Sequence, residues 1–168
     1  MKLLHQVRNW NGKDIDFLET TYAHYSAEPG FQQDLLDSLA LTEKHQSAAS
    51  WLFRRSLQRG HAPNEAEAAA FYLALAKCTS WEAQLNLLQC IELLPVPEVA
   101  RESLEQYLRQ ALTHGNKFVR AWAYNGFYQL ARQYPDLQDE ALEIMKMGQR
   151  DEPAAVKARI RNALKHPH

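Results

Sequence analysis

A basic residue and two aromatic residues recur at helical spacing in the segment 116–137, which reads NKFVRAWAYNGFYQLARQYPDL. Arg120, Tyr124 and Tyr128 stand at i, i+4 and i+8, so on a helix they share one edge. A guanidinium group beside aromatic rings suits a planar partner, such as a peptide or a stacked base. The alternative is that the three are ordinary edge residues of a packed helix.

Further cations could extend such a surface. From residue 154 onward the sequence has four Lys or Arg residues and no Asp or Glu. These cations suit the C-terminal end of a solvated helix, or they contact an anion or nucleic acid. The residues that we predict to form a binding surface are Arg54, Arg55, Arg120, Tyr124, Tyr128, Lys157 and Arg161.

Catalytic and metal-binding signatures are missing from the sequence. It contains no GxSxG, HExxH, P-loop, GxGxxG or CxxC motif. No two of the seven histidines stand at i, i+4. We therefore predict no catalytic residue, no metal site and no cofactor.

His45 is interpreted either as a half-buried residue that bonds a loop or as a functional group. Cys78 and Cys90 are expected to be buried thiols, with a disulfide as the alternative.

Composition indicates a single globular domain over residues 1–168. Hydrophobic residues make up 46% and charged residues 23% of the chain, and its net charge is −1. A charge so near zero argues against a general attraction to nucleic acid or to an anionic membrane. No long apolar run is present, so we expect no signal peptide, no membrane span and a cytoplasmic location.

Helix signals dominate, and the chain is predicted to be all-α with about nine helices. Asn64 and Glu67 form a capping box, and Gly60 and Gly115 are placed as C′ glycines. Short connections favour antiparallel packing of successive helices. The predicted helices cover residues 14–26, 30–41, 43–59, 64–77, 81–94, 97–113, 117–134, 136–149 and 152–166.

The helices recur at a regular interval. The predicted N-caps Thr42, Ser80, Asn116 and Asp151 are 38, 36 and 35 residues apart. Counted from each cap, positions +3, +7, +10, +11 and +14 form one helical face, mostly apolar in the first three helices. In the fourth helix positions +10 and +11 are polar, which predicts a terminal, capping repeat. The tryptophans at 51 and 122 are expected to pack between helices.

The segment NKFVRAWAYNGFYQLA, followed by PDL, resembles the second helix of a HEAT-type repeat, with its Asn, Val-Arg and Leu-Ala pattern. DEPAAVKARIRNAL is a looser match, in which Val156-Lys157 stands for Val-Arg. The resemblance implies an α-α superhelix, a right-handed solenoid of about four helix pairs plus an N-terminal helix. Its inner layer would be the helices starting near 43, 81, 117 and 152. It also implies that Arg120 pairs with an acid or carbonyl in the adjacent repeat. A TPR-like array is the alternative fold.

We expect a non-catalytic binding or scaffold module, because α-solenoids expose an extended concave surface. A protein or peptide partner would bind along the inner helices. The alternative is a nucleic-acid-binding protein related to the HEAT-like DNA-alkylation-repair glycosylases, which the near-zero net charge disfavours. A HEAT-like hydroxylase would need His-Glu metal pairs, and the sequence has no His-Glu dipeptide.

Overall fold

The computed structural model describes residues 2–166, and these contain ten α-helices and no strand. The all-α prediction is confirmed. A 3₁₀ turn, Cys90–Leu93, extends α6, and another, Pro135–Leu137, precedes α9. The helices are α1 Lys2–Asn9, α2 Ile15–Tyr25, α3 Phe31–Ser38, α4 Glu43–Gln58, α5 Glu65–Lys77, α6 Trp81–Gln89, α7 Glu98–Ala111, α8 Lys117–Gln133, α9 Gln138–Asp151 and α10 Ala154–Leu164.

One helix more than predicted is present, because the first predicted helix starts at residue 14 and α1 lies before it. Its eight residues are too few for a stable isolated helix in water. Leu3 and Val7, one helical turn apart, are buried, and α1 contacts α3 and α4. Tertiary packing therefore stabilises a helix that local sequence signals do not.

Side-chain capping fixes several helix starts where the sequence predicts them. The Asn64 side chain accepts from Glu67 N at 2.8 Å, and Glu67 Oε2 accepts from Asn64 N at 3.2 Å, which confirms the capping box. Gly60 has φ +98°, as a C′ glycine requires. Gly115 does not have a positive φ, since α7 has already ended at Ala111; its prediction as C′ is wrong.

Consecutive helices pack in five pairs, α1–α2, α3–α4, α5–α6, α7–α8 and α9–α10. Across the pairs, α2, α4, α6, α8 and α10 contact one another in succession, and we call them the even row. On the other side, α1, α3, α5 and α7 do the same, and Arg109 of α7 bonds Glu140 of α9. We call these five the odd row.

The predicted start of the last helix is wrong by two residues. Asp151 ends α9, and the N-cap of α10 is Pro153, which forces the preceding residue into an extended conformation. Counted from Pro153, positions +3, +7 and +10 are Val156, Ile160 and Ala163, and all three are buried. The last helix is thus not polar on this face, contrary to the prediction. Val156 and Val119 both stand at position +3 when α10 is counted from Pro153, so this count agrees with the match of Val156-Lys157 to Val119-Arg120.

Two clusters of buried apolar side chains make up the core. The larger runs from α1 to α9, and the smaller joins α8, α9 and α10 around Tyr124, Tyr128 and Ile160. Leu112 and Ile144 pack against both clusters.

Gly126 lies beside the larger cluster, at a close approach of α8 to its neighbours. A Cβ there would stand 2.9 Å from Ile91 Cδ1 and 3.0 Å from Leu108 Cδ2. A residue larger than glycine therefore requires the ends of these two side chains to move.

Candidate functional site

Two tryptophans of the even row lie half-buried beneath arginine side chains. The Arg159 guanidinium carbon, from α10, stands 4.0 Å from the ring centroid of Trp122 on α8. The Arg55 guanidinium carbon stands 5.2 Å from the ring centroid of Trp51 on α4. Both distances suit a cation–π interaction. Each indole packs partly on the core, as predicted, and leaves part of its surface to solvent.

The two predicted arginines of α4 differ in their partners. Arg55 forms an ion pair with Glu19 of α2. Arg54 is half-buried and forms no hydrogen bond or ion pair with any residue in the range 2–166. Arg54 is therefore the freer of the two to contact another molecule.

Arg120 is committed to a link between α8 and the turn before α10. Its Nε donates to both carboxylate oxygens of Glu152 at 3.1 Å, and its Nη1 donates to the carbonyl of His114 at 2.8 Å. The side chains of Arg120 and Glu152 are only 19% and 12% exposed. This is the pairing with an adjacent helix pair that the resemblance implies.

Tyr124 bonds the same carboxylate, Glu152, and does not lie on an exposed edge. It is 5% exposed, and its hydroxyl donates to Glu152 Oε1 at 3.3 Å. Burial, and then the Glu152 charge, raises the pKa of Tyr124 to about 12. The hydroxyl therefore stays protonated at neutral pH and serves as a structural donor.

Tyr128 is buried as well, with 2% of its surface exposed, and its hydroxyl donates to the carbonyl of His166 at 3.0 Å. The predicted strip of Arg120, Tyr124 and Tyr128 is thus not a free surface. The physical reason is that α9 and α10 cover this edge of α8. The i, i+4, i+8 spacing places residues on one edge but does not say whether that edge is covered.

Lys157 and Arg161 lie one turn apart on α10. Lys157 is half-buried and Arg161 is exposed. They occupy positions +4 and +8 from Pro153, which correspond to Arg120 and Tyr124 counted from Asn116. Both are accessible. They lie on the edge of α10 that corresponds to the edge of α8 facing the next helix pair.

The sequence analysis does not predict the polar bonds that α4 makes with the next helix pair. Gln46 Oε1, on α4, accepts from Thr79 N at 3.1 Å and from Ser80 N at 3.0 Å. Asn86 Nδ2, on α6, donates to Ser50 Oγ on α4 at 3.2 Å. Gln46 stands at position +4, as Arg120 does, so a comparison of the repeats at that position could have found it.

His45, Cys78 and Cys90, the remaining candidates from the sequence, have structural roles. His45 Nδ1 bonds Thr42 Oγ1 at 2.7 Å, and burial, followed by the charges of Arg8 and Lys44, lowers the pKa of His45. Cys78 and Cys90 are free and buried, which confirms the thiol interpretation over the disulfide. Burial raises the pKa of Cys78 to about 11, so this thiol is a poor nucleophile at neutral pH.

Residues 2–166 contain no group of three or more His, Cys, Asp or Glu side chains arranged to hold a metal ion. In the same range no helix has the length and apolarity needed to cross a membrane.

Comparison of this chain with family models, with curated proteins and with solved structures gives no match.

Proposed function

We propose that the five helix pairs form a right-handed α-solenoid of HEAT-like repeats, with the even row as its inner, concave layer. Support comes from the contacts of each helix of the even row with its counterpart in the next pair. The N-caps Thr42, Ser80, Asn116 and Pro153, which recur at intervals of 36 to 38 residues, add to it.

On this fold we propose a non-catalytic binding module that takes a protein segment or peptide along the solvent side of the even row. The observation that carries the proposal is the pair of half-buried tryptophans, Trp51 and Trp122, each with an arginine over its ring. Tryptophan and arginine dominate the affinity of many protein interfaces, because they bury large areas and retain polar groups. Gln89, half-buried on α6, supplies an amide for a peptide backbone.

A peptide suits this surface better than nucleic acid does. Glu43, Glu82 and Glu92 are exposed on α4, on α6 and in the turn that extends α6. Acidic groups on the same row as the cations would repel phosphates, which supply most of the affinity for nucleic acid. The same mixture of charges can pair with a peptide of mixed sequence.

Selection from a random-peptide display library tests the proposal. We expect wild-type protein to enrich related sequences, and Trp122→Ala to weaken binding of the selected peptides about tenfold or more, as loss of a central anchor does. Arg159→Glu provides a second test at the same place. Both variants are first checked for unchanged thermal unfolding.

Val99→Ala is the matched control, since Val99 is 73% exposed on α7 of the odd row. It should bind the selected peptides like wild type. Equal weakening by Val99→Ala, or tight binding by Trp122→Ala and Arg159→Glu, contradicts a site on the even row. A gel shift of duplex DNA that disappears between about 50 and 200 mM salt would favour nucleic acid instead.

A further inference from the structure

Position +8 of the even-row helices faces the following helix pair. On α4 this residue is Ser50, which accepts from Asn86 of α6. On α6 it is Leu88, near the backbone of Gly126 on α8, and on α8 it is Tyr124, close to Gly148 of α9. All three are buried. On α10 the same position is Arg161, which is exposed.

Position +4 repeats the pattern with polar bonds. Gln46 bonds residues 79 and 80 of the following pair, and Gln84 accepts from the Tyr107 hydroxyl of α7 at 2.9 Å. Arg120 bonds Glu152. Lys157, at this position on α10, forms no hydrogen bond or ion pair of its side chain within residues 2–166. The edge of α10 thus carries two cations where the three preceding helices contact their next neighbour.

The opposite edge of the even row is open on α2. Position +6 faces the preceding pair: Asn86 reaches back to α4, and Arg159 reaches back to Trp122 of α8. On α2, whose N-cap is Asp14, position +6 is Thr20, and it is exposed. Thr20 lines a groove of about 530 Å³ with an apolar floor that includes Phe17 and Tyr25.

Charge differs sharply between the two open edges. Asp14 and Asp16 line the groove on α2 and are exposed. Residues 14–43 hold seven acidic residues and no Lys or Arg, whereas residues 154–168 hold four Lys or Arg and no acid. One carboxylate oxygen of Asp14 caps α2, and Asp16 has no ion pair among the described residues. The groove on α2 is therefore mainly acidic, and the edge of α10 is mainly basic.

We propose that the chain associates head to tail with a second copy of itself, with the α10 edge of one copy packed on the α2 groove of the next. Lys157 of one copy would bond Asp14 or Asp16 of the other, as Arg120 bonds Glu152 within the chain. Arg161 would enter the groove at the position that Tyr124 fills between α8 and α9. The contact is heterologous, so a pair of copies keeps one free edge of each kind. Further copies can then add until the assembly closes into a ring or continues as an open assembly.

Sedimentation velocity across concentrations from about 1 μM to about 1 mM tests this association. We expect wild type to form species larger than a monomer at low salt. The larger species should dissociate at about 0.5 M salt, because exposed charges are then screened. Lys157→Glu and Asp16→Lys should each weaken association about tenfold or more, since like charges then face each other.

Charge exchange distinguishes this contact from a general effect of net charge. An equimolar mixture of Lys157→Glu and Asp16→Lys should associate, and so should a chain that carries both substitutions. Lys77→Glu, on an exposed site of α5, makes the same change in net charge as Lys157→Glu does and should associate like wild type. A wild type that is monomeric throughout, or association that survives both single substitutions, overturns the proposal. The test is independent of the peptide surface, since no residue of the Trp–Arg pairs is changed.

Discussion

Among single residues, Arg120 links two segments that are distant in sequence. It donates to the carbonyl of His114 before α8 and to Glu152 before α10. Charged hydrogen bonds that are largely shielded from water are stronger than exposed ones. Tyr124 adds a third group to the same carboxylate. The cluster therefore fixes how the last helix pair sits on α8.

Replacement of Glu152 tests the cluster. Glu152→Ala leaves the Arg120 guanidinium and the Tyr124 hydroxyl without their acceptor, and we expect a loss of about 2 kcal/mol in the free energy of unfolding. Urea denaturation measures this. Asp151→Ala is the neighbouring control, because the Asp151–Arg150 pair is exposed, and it should unfold close to wild type. Equal midpoints for Glu152→Ala and wild type would show that the cluster does not stabilise the fold.

The Tyr124 hydroxyl makes stability depend on alkaline pH. Its pKa is raised from 10.0 to about 12 in the folded chain, so the folded state holds the proton more tightly than the unfolded state does. Its contribution is complete below pH 10 and is lost as the pH rises toward 12. Tyr124→Phe should therefore lose less stability than wild type over this interval, as measured by urea denaturation at several pH values. An identical loss in both proteins would contradict this assignment.

At the scale of elements, caps and close approaches decide where helices begin and how near they come. The capping box at Asn64 and the caps Ser80 and Asn116 could be predicted from sequence, because they depend on neighbours within three residues. The helix α1 and the Pro153 start could not. The first depends on packing against α3 and α4, and the second on which of two adjacent turn signals ends α9.

A substitution at Gly126 tests how closely α8 approaches its neighbouring helices. Gly126→Leu should lower the free energy of unfolding by at least about 1 to 3 kcal/mol, because a side chain there overlaps Ile91 and Leu108. Thermal unfolding followed by circular dichroism measures the effect. Gly115→Ala is the control, since it has no positive φ and no heavy atom within 4 Å of the added Cβ. A Gly126→Leu protein that melts at the wild-type temperature would disprove the close approach.

At the scale of the whole molecule, the sequence predicts the all-α class and most helix bounds, but not which of the predicted surface residues are buried. Periodicity places Arg120, Tyr124 and Tyr128 on one edge, and only tertiary packing shows that α9 and α10 cover it. The Trp122–Arg159 contact escaped for the same reason, since it joins residues 37 positions apart on two helices. Repeat alignment from the N-caps is the sequence signal that comes nearest to finding such contacts.

The four tryptophans give the most direct test of the proposed peptide surface. In ¹⁵N-labelled protein each indole N–H gives its own resonance, and a selected peptide is titrated in. Trp51 and Trp122 should shift with a common dissociation constant. Trp10, which is buried and donates to the carbonyl of Asp14, should stay in place. Binding without a shift of Trp51 or Trp122 would contradict recognition along the even row.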